Sequence, residues 1–184
     1  MIFNLTSGLK INRNPFTYNM SAKQIIYTDG SCSPNPGPGG WGLYCQYYVD
    51  GKIKHIFEGC DGLRKTTNNV MEITGVYEAL KMIGKKGTTT IYTDSSYVVN
   101  EIGGDIVDGK ITGWLVGQRR RGWMGSGDKP IANLELWKEI VEYIEANNLT
   151  FSLKWVKGHE GNLGNERADF LANKGRLSLF SPPF

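Results

Sequence analysis

Two apolar runs in this chain end in the same way. Gln24-Ile25-Ile26-Tyr27-Thr28 leads into Asp29-Gly30-Ser31, and Thr88-Thr89-Thr90-Ile91-Tyr92-Thr93 leads into Asp94-Ser95-Ser96. Both are of strand length and rich in β-branched and aromatic residues, so both are predicted as strands. Each delivers a carboxylate beside apolar neighbours. Desolvating an unpaired charge there is expensive, and a metal ion is the usual reason to tolerate two such acids side by side.

The rest of the pattern supplies a sheet and its helices. Trp41 to Val49 and Ile53 to Glu58 read as strands joined by Asp50-Gly51, a favoured hairpin pair. Residues 33–40, dense in glycine and proline, are predicted to be irregular and to permit close backbone approach. A helix capped by Asn68 or Asn69 runs to about Lys85, with Ile73, Val76, Tyr77, Leu80 and Ile83 as its buried stripe. At about 100° per residue, Glu72 falls on the margin of that stripe and can reach inward, whereas Glu78 and Lys81 lie outside.

Ser95 or Ser96 opens a short helix through Ile102, and 103–113 reads as a loop before a second short helix near 112–118. Asn133 caps a helix to about Asn147, with Leu134, Trp137, Ile140, Val141 and Ile144 on one face. Leu149 to Trp155 is a fifth strand, Gly158 to Gly164 a loop holding His159, and Asn165 to Lys174 the last helix. Hairpin strands followed by alternating helix and strand indicate a mixed α/β sandwich.

A chain of 184 residues fits one domain with a sizeable core. Net charge of +3 does not by itself announce a polyanionic partner, but Arg119, Arg120 and Arg121 sit together between Trp114 and Trp123. No apolar run approaches the roughly 20 residues of a membrane span. Residues 1–22 hold no acid and show no period; they read as a disordered leader, with a weak likeness to an organellar targeting peptide as the alternative. Residues 177–184 read as a short tail. Three cysteines, Cys32, Cys45 and Cys60, have no metal-ligand spacing, and their odd, sparse count points to a reducing compartment.

Four acids stand out by position: Asp29, Glu72, Asp94 and Asp169. Each alone has an ordinary structural reading. Asp94 could cap the helix after it, Glu72 could meet a helix dipole, and Asp169 could pair with Arg167 or Lys174. Together they form a hard oxygen set suited to Mg²⁺ or Mn²⁺, and two such ions about 4 Å apart can drive phosphodiester hydrolysis.

The stretches around these acids resemble the type 1 ribonuclease H family. The matches are Tyr-Thr-Asp-Gly-Ser-Cys (27–32), Asn-Pro-Gly-Pro-Gly-Gly (35–40), Thr-Thr-Asn-Asn-Val-Met-Glu (66–72) and Thr-Asp-Ser-Ser-Tyr-Val (93–98). They continue with Arg-Gly-Trp (121–123), Trp-Val-Lys-Gly-His (155–159) and Asn-Glu-Arg-Ala-Asp (165–169). The resemblance implies a ribonuclease H-like fold, with a five-stranded mixed sheet, helices on both faces and a catalytic domain over 23–176.

It also implies a metal-dependent endoribonuclease that cuts the RNA strand of RNA–DNA hybrids, leaving 3′-hydroxyl and 5′-phosphate ends. Asp29, Glu72, Asp94 and Asp169 fall on the family's four metal-binding catalytic acids, which hold two Mg²⁺ ions, with Mn²⁺ a possible substitute. His159 matches a loop histidine that aids proton transfer or product departure. Cys32, Asn35, Asn68, Asn69 and Ser96 match positions that line the minor groove, where the 2′-hydroxyl marks RNA. Lys65, Thr67 and Asn133 match a pocket for one DNA phosphate. Trp114, Arg119, Arg120, Arg121 and Trp123 match a basic protrusion. Val70, Ser96 and Gln118 depart from residues frequent at their positions. The expected enzyme is cytoplasmic and monomeric, with no membrane and no obligate protein partner. A resolvase-like DNA nuclease of the same fold and a non-catalytic hybrid-binding module are the alternatives.

Overall fold

The computed structural model describes residues 22–84, 87–158 and 160–180. The leader expected over 1–22, apart from Ala22, the end of the tail and His159 therefore lie outside the described residues. Three long strands come first: β1 (Lys23–Cys32), β2 (Gly37–Val49) and β3 (Lys52–Thr66). The helix α1 (Asn68–Lys81), strand β4 (Thr88–Thr93) and helix α2 (Ser96–Ile102) follow. The chain then runs through β5 (Asp105–Ile106), α3 (Leu115–Arg120), α4 (Leu134–Ala146), β6 (Phe151–Trp155) and α5 (Leu163–Ser178).

The sheet order is β3-β2-β1-β4-β6-β5, antiparallel in the β1–β2–β3 meander and parallel from β1 through β4 to β6. Six strands replace the expected five. The extra one, β5, lies inside 103–113, which the sequence presents as a loop. Asp105 and Ile106 pair with Ser152 and Phe151 and cover the outer edge of β6. Two residues between glycines carry no readable period, so only the neighbouring strand reveals them.

Other boundaries also moved. Gly37–Gly40 is strand rather than irregular chain, and β1 runs on past Asp29 and Gly30 to Cys32. The cap of α1 is Thr67, whose Oγ1 accepts from the Val70 N–H, and not Asn68 or Asn69. Asn133 precedes α4 in the left-handed conformation (φ 58°) and makes no side-chain cap; its amide donates to Tyr97 Oη instead.

Helices cover both faces of the sheet. On one, Ile73, Val76 and Leu80 of α1 join Ile102 of α2 and Trp137, Ile140 and Ile144 of α4 over Ile26, Ile91 and Leu153. All of these side chains are almost wholly buried. At roughly 1.5–3 kcal/mol for each large apolar side chain removed from water, this layer is the main source of stability. The α5 layer is thinner and rests on backbone contact: a Cβ on Gly42 would lie 2.2 Å from the Ala168 carbonyl oxygen. Small residues at both positions let the helix lie directly on β2, and that depth fixes where the side chains of α5 emerge beside β1.

Candidate active site

The two Tyr-Thr-Asp triplets lie level on adjacent strands. In the parallel β1–β4 ladder Tyr27 faces Tyr92 and Thr28 faces Thr93, and the two tyrosine rings stack at 5.1 Å. Asp29 and Asp94 follow those threonines and emerge side by side. Glu72 reaches them from the second turn of α1, whose backbone passes so near β1 that a Cβ on Gly30 would lie 2.4 Å from the Glu72 nitrogen. Carboxylate oxygens of Asp29, Glu72 and Asp94 all lie within 4.8 Å of one another.

Asp169 enters from α5. It is not part of the tight threesome, but it is near enough for its charge to raise the Asp29 carboxyl. Asp169 Oδ1 accepts from Asn173 Nδ2 at 2.8 Å. Neither Arg167 nor Lys174 pairs with it; Arg167 forms a two-pronged ion pair with Glu58 on β3.

The electrostatics of the cluster favour a cation. Burial, then the charges of Asp94 and Asp169, push the Asp29 carboxyl up to about 8, against the N–H of Gly30, which donates to Asp29 Oδ1 at 2.7 Å. Glu72 is also raised, by burial first and then by Asp29 and Asp94. Its Oε2 is buried without a hydrogen-bond partner, while Oε1 accepts weakly from Asn68 at 3.4 Å. An orphaned buried oxygen among acids that suppress one another's ionisation fits a divalent ion, which would supply the missing partner and reverse those shifts. All-oxygen donors suit a hard ion rather than zinc.

Two further contacts fix Asp94. The Trp155 indole N–H donates to the Asp94 carbonyl at 2.9 Å, and a Cβ on Gly158 would lie 2.7 Å from Asp94 Oδ2. The loop that continues into His159 thus starts against this carboxylate.

Of the residues expected to read the groove, Cys32, Asn35 and Asn68 are brought together beside the end of β3. The Cys32 sulfur lies within donor reach of the carbonyls of Pro34, Gly37 and Thr66, and its single S–H donates to one of the three. Asn35 Oδ1 accepts from the Asn68 N–H at 3.2 Å, so the β1–β2 loop is tied to the start of α1, four residues before Glu72. Asn69 and Ser96 are exposed at the starts of α1 and α2.

The expected phosphate contacts are more dispersed. Lys65 and Thr67 flank the end of β3, while Asn133 opens α4 and bonds to Tyr97 rather than to either of them. Arg119, Arg120 and Arg121 are exposed at the end of α3, and Trp114 precedes it with 47% of its surface exposed. Arg119 forms an ion pair with Glu145 of α4. Gln118 is buried within α3, at the floor of a cavity that it lines together with Trp114, Arg121 and the 124–128 turn.

Nothing in the sequence alone assigns a role to Ser31, Asn173 or Trp155. Trp155 stands inside a motif, which was its only signal. Asn173 lies four residues after Asp169, one helical turn, a spacing that places the two side chains together on any helix.

Carboxylates gathered at one end of a mixed sheet form a hard donor set of the kind that serves metal-assisted phosphodiester hydrolysis. The RNase H family model matches residues 21–176. The ribonuclease H of Polaromonas naphthalenivorans (strain CJ2) is 44% identical over 151 residues, 82% of this chain and 85% of that one. That of Roseobacter denitrificans (strain ATCC 33942 / OCh 114) is 42% identical over 158 residues, 86% and 97% of the two chains. Among solved structures, LC9-RNase H1, a type 1 RNase H with the type 2 active-site motif, superposes with a TM-score of 0.69. Its identity is 29%, over 86% of this chain and 74% of that one. The chain belongs to the ribonuclease H family, and its activity is that of a ribonuclease H, an endoribonuclease.

Proposed function

We propose that the chain hydrolyses the RNA strand of RNA–DNA hybrids at the carboxylate cluster, with Mg²⁺ as the working ion and Mn²⁺ as a substitute. The convergence of Asp29, Glu72 and Asp94 from three different elements carries this reading. Asp29, on which the charges of both Asp94 and Asp169 act, would hold two cations, Glu72 and Asp94 completing one set of ligands and Asp169 the other. Divalent ions bound there would lower the pKa of a water molecule and neutralise charge at the phosphate.

The chain's own part is orientation. Trp155 and Gly158 fix Asp94, whose carboxylate would align the attacking water and accept its hydrogen bond. Glu72 faces the groove edge through Asn68 and so stands where the RNA sugar beside the scissile phosphate would lie. His159 follows Gly158 and would exchange a proton near the leaving group; the products carry 3′-hydroxyl and 5′-phosphate ends.

Recognition divides by strand. Cys32, Asn35, Asn68, Asn69 and Ser96 would meet the RNA edge, since an amide both donates and accepts, as the 2′-hydroxyl does. Lys65, Thr67, Asn133 and the basic Trp114–Trp123 segment would take phosphates of the DNA strand. A cytoplasmic monomer whose catalytic domain spans 23–176 completes the reading. Free Cys32, Cys45 and Cys60 suit a reducing compartment, and no helix among the described residues is long and apolar enough to cross a membrane.

The test is cleavage of end-labelled hybrid, RNA duplex and DNA duplex with Mg²⁺. The hybrid alone is expected to be cut, in its RNA strand. Equal cutting of all three, cutting of DNA alone, or no cutting would overturn the reading.

A further inference from the structure

Asn173 is the best-connected side chain near the cluster to which no role is assigned. It stands one turn after Asp169 on α5, on the side that faces β1. Its amide nitrogen donates to Asp169 Oδ1 at 2.8 Å and to the Asp169 carbonyl at 3.1 Å. Its carbonyl oxygen accepts from Ser31 Oγ at 2.9 Å and from Arg176 Nη2 at 3.3 Å. A primary amide has two N–H groups and two lone pairs, so every hydrogen-bonding position of Asn173 is in use.

That pattern allows only one orientation. Turned over, the amide would set its oxygen against two acceptors of Asp169 and its N–H groups against a guanidinium, which only donates. Ser31 lies two residues after Asp29, on the same face of β1. The path Ser31–Asn173–Asp169 therefore ties a carboxylate on α5 to the strand that carries Asp29, although the two acids repel. Without that tie, Asp169 would be free to turn toward solvent on its helix.

We propose that Asn173 is a positioning residue for the cation held between Asp29 and Asp169. It takes up Oδ1 of Asp169, so that this acid offers the cation one oxygen at a fixed place, and Ser31 sets the register of helix against strand. The inference rests on the reading of the cluster as a divalent-cation site. Loss of Asn173 leaves the three-acid group of Asp29, Glu72 and Asp94 in place and weakens only the site that needs Asp169.

The test uses full-length protein with Asn173→Ala and Ser31→Ala. Mn²⁺ binding is counted from the EPR signal of the free ion, and hybrid cleavage is followed across a range of Mg²⁺ concentrations. Asn173→Ala is expected to weaken the weaker Mn²⁺ site about tenfold and to raise the Mg²⁺ concentration for half-maximal cleavage by a similar factor, a coupling of about 1.4 kcal/mol. The KM for hybrid and the metal-free melting temperature should stay near wild type. Ser31→Ala should shift both metal readouts the same way by roughly two- to threefold, about half a kcal/mol. Wild-type metal dependence in Asn173→Ala would overturn the inference. So would a uniform loss of kcat at every Mg²⁺ concentration with a lowered melting temperature, the sign of a merely structural role. Absence of Mn²⁺ binding to the wild-type protein would instead overturn the cation site itself, and the inference with it.

Discussion

Thr28 and Thr93 face each other across adjacent parallel strands, and neither has exposed surface. The next residue on each chain is an acid, so the register of one buried pair decides the separation of Asp29 and Asp94. A one-residue slip would turn one of the two acids to the opposite face of the sheet. The stacked Tyr27 and Tyr92 rings, one step earlier, support the same register.

Asp94→Asn is expected to remove cleavage while leaving hybrid binding nearly intact. The loss should be roughly a thousandfold or more, the scale on which a single group meeting the transition state counts. Because the Asp94 charge helps raise both Asp29 and Glu72, its removal should also relieve repulsion and raise the metal-free melting temperature near neutral pH. Cleavage, hybrid binding and thermal melting without divalent ions check the three parts. A variant that loses binding along with turnover would place Asp94 in recognition instead.

Part of this site could be read from the chain alone. Asp29 and Asp94 were legible because the same triplet ends two strands, and Glu72 because helical spacing put it on the margin of a buried stripe. Asp169 was legible only through its Asn-Glu-Arg-Ala-Asp setting. The far half of β3 is not legible in the sequence: it pairs with Gly37–Leu43, and its own Gly59, Cys60, Asp61 and Gly62 show no alternation. The cap of α1 was missed by one residue because Thr67, Asn68 and Asn69 are all good caps, and only the Thr67–Val70 contact distinguishes them. Ser31 and Asn173 are 142 residues apart, a separation that no local pattern spans.

Gly30→Ala tests how Glu72 is brought to the sheet. The added methyl would meet backbone of α1, at 2.4 Å from the Glu72 nitrogen, and backbone cannot turn aside as a long side chain can. The expected result is destabilisation of about 3 kcal/mol, the upper range for overpacking, with cleavage impaired beyond what unfolding explains. Denaturant titration and activity per folded molecule measure the two effects. A fully active variant would mean that α1 can withdraw without moving Glu72.

Glu101 gives a pH dependence that is separate from catalysis. It is buried in α2, its Oε2 has no hydrogen-bond partner, and burial raises its carboxyl from 4.5 to about 7. Unfolded, the group ionises near 4.5; folded, it keeps its proton until about pH 7. Within that window the native state binds more protons, so its stability falls as pH rises from about 4.5 to 7 and is constant in this respect outside it. Glu101→Gln, which stays neutral, should therefore melt above wild type at pH 8 and show no such gain at pH 4. A gain of equal size at both pH values would mean that the carboxyl does not titrate in this window.

The arginines of α3 and its end should not contribute equally to hybrid binding. Arg120 and Arg121 are exposed, whereas Arg119 is engaged with Glu145 on α4. Each arginine that neutralises a phosphate contributes up to about 0.9 to the slope of log affinity against log salt on B-form DNA. Arg120→Ala and Arg121→Ala should each weaken hybrid binding and flatten that slope by nearly this amount, while Arg119→Ala should do less. Glu145→Gln removes the competing carboxylate from Arg119, so it should tighten binding at low salt and steepen the slope. An exposed ion pair contributes only about 0.2–1 kcal/mol, so the gain should be at most several-fold. Binding measured from 50 to 200 mM salt decides the matter; a Glu145→Gln slope equal to wild type would show that Arg119 never turns to phosphate.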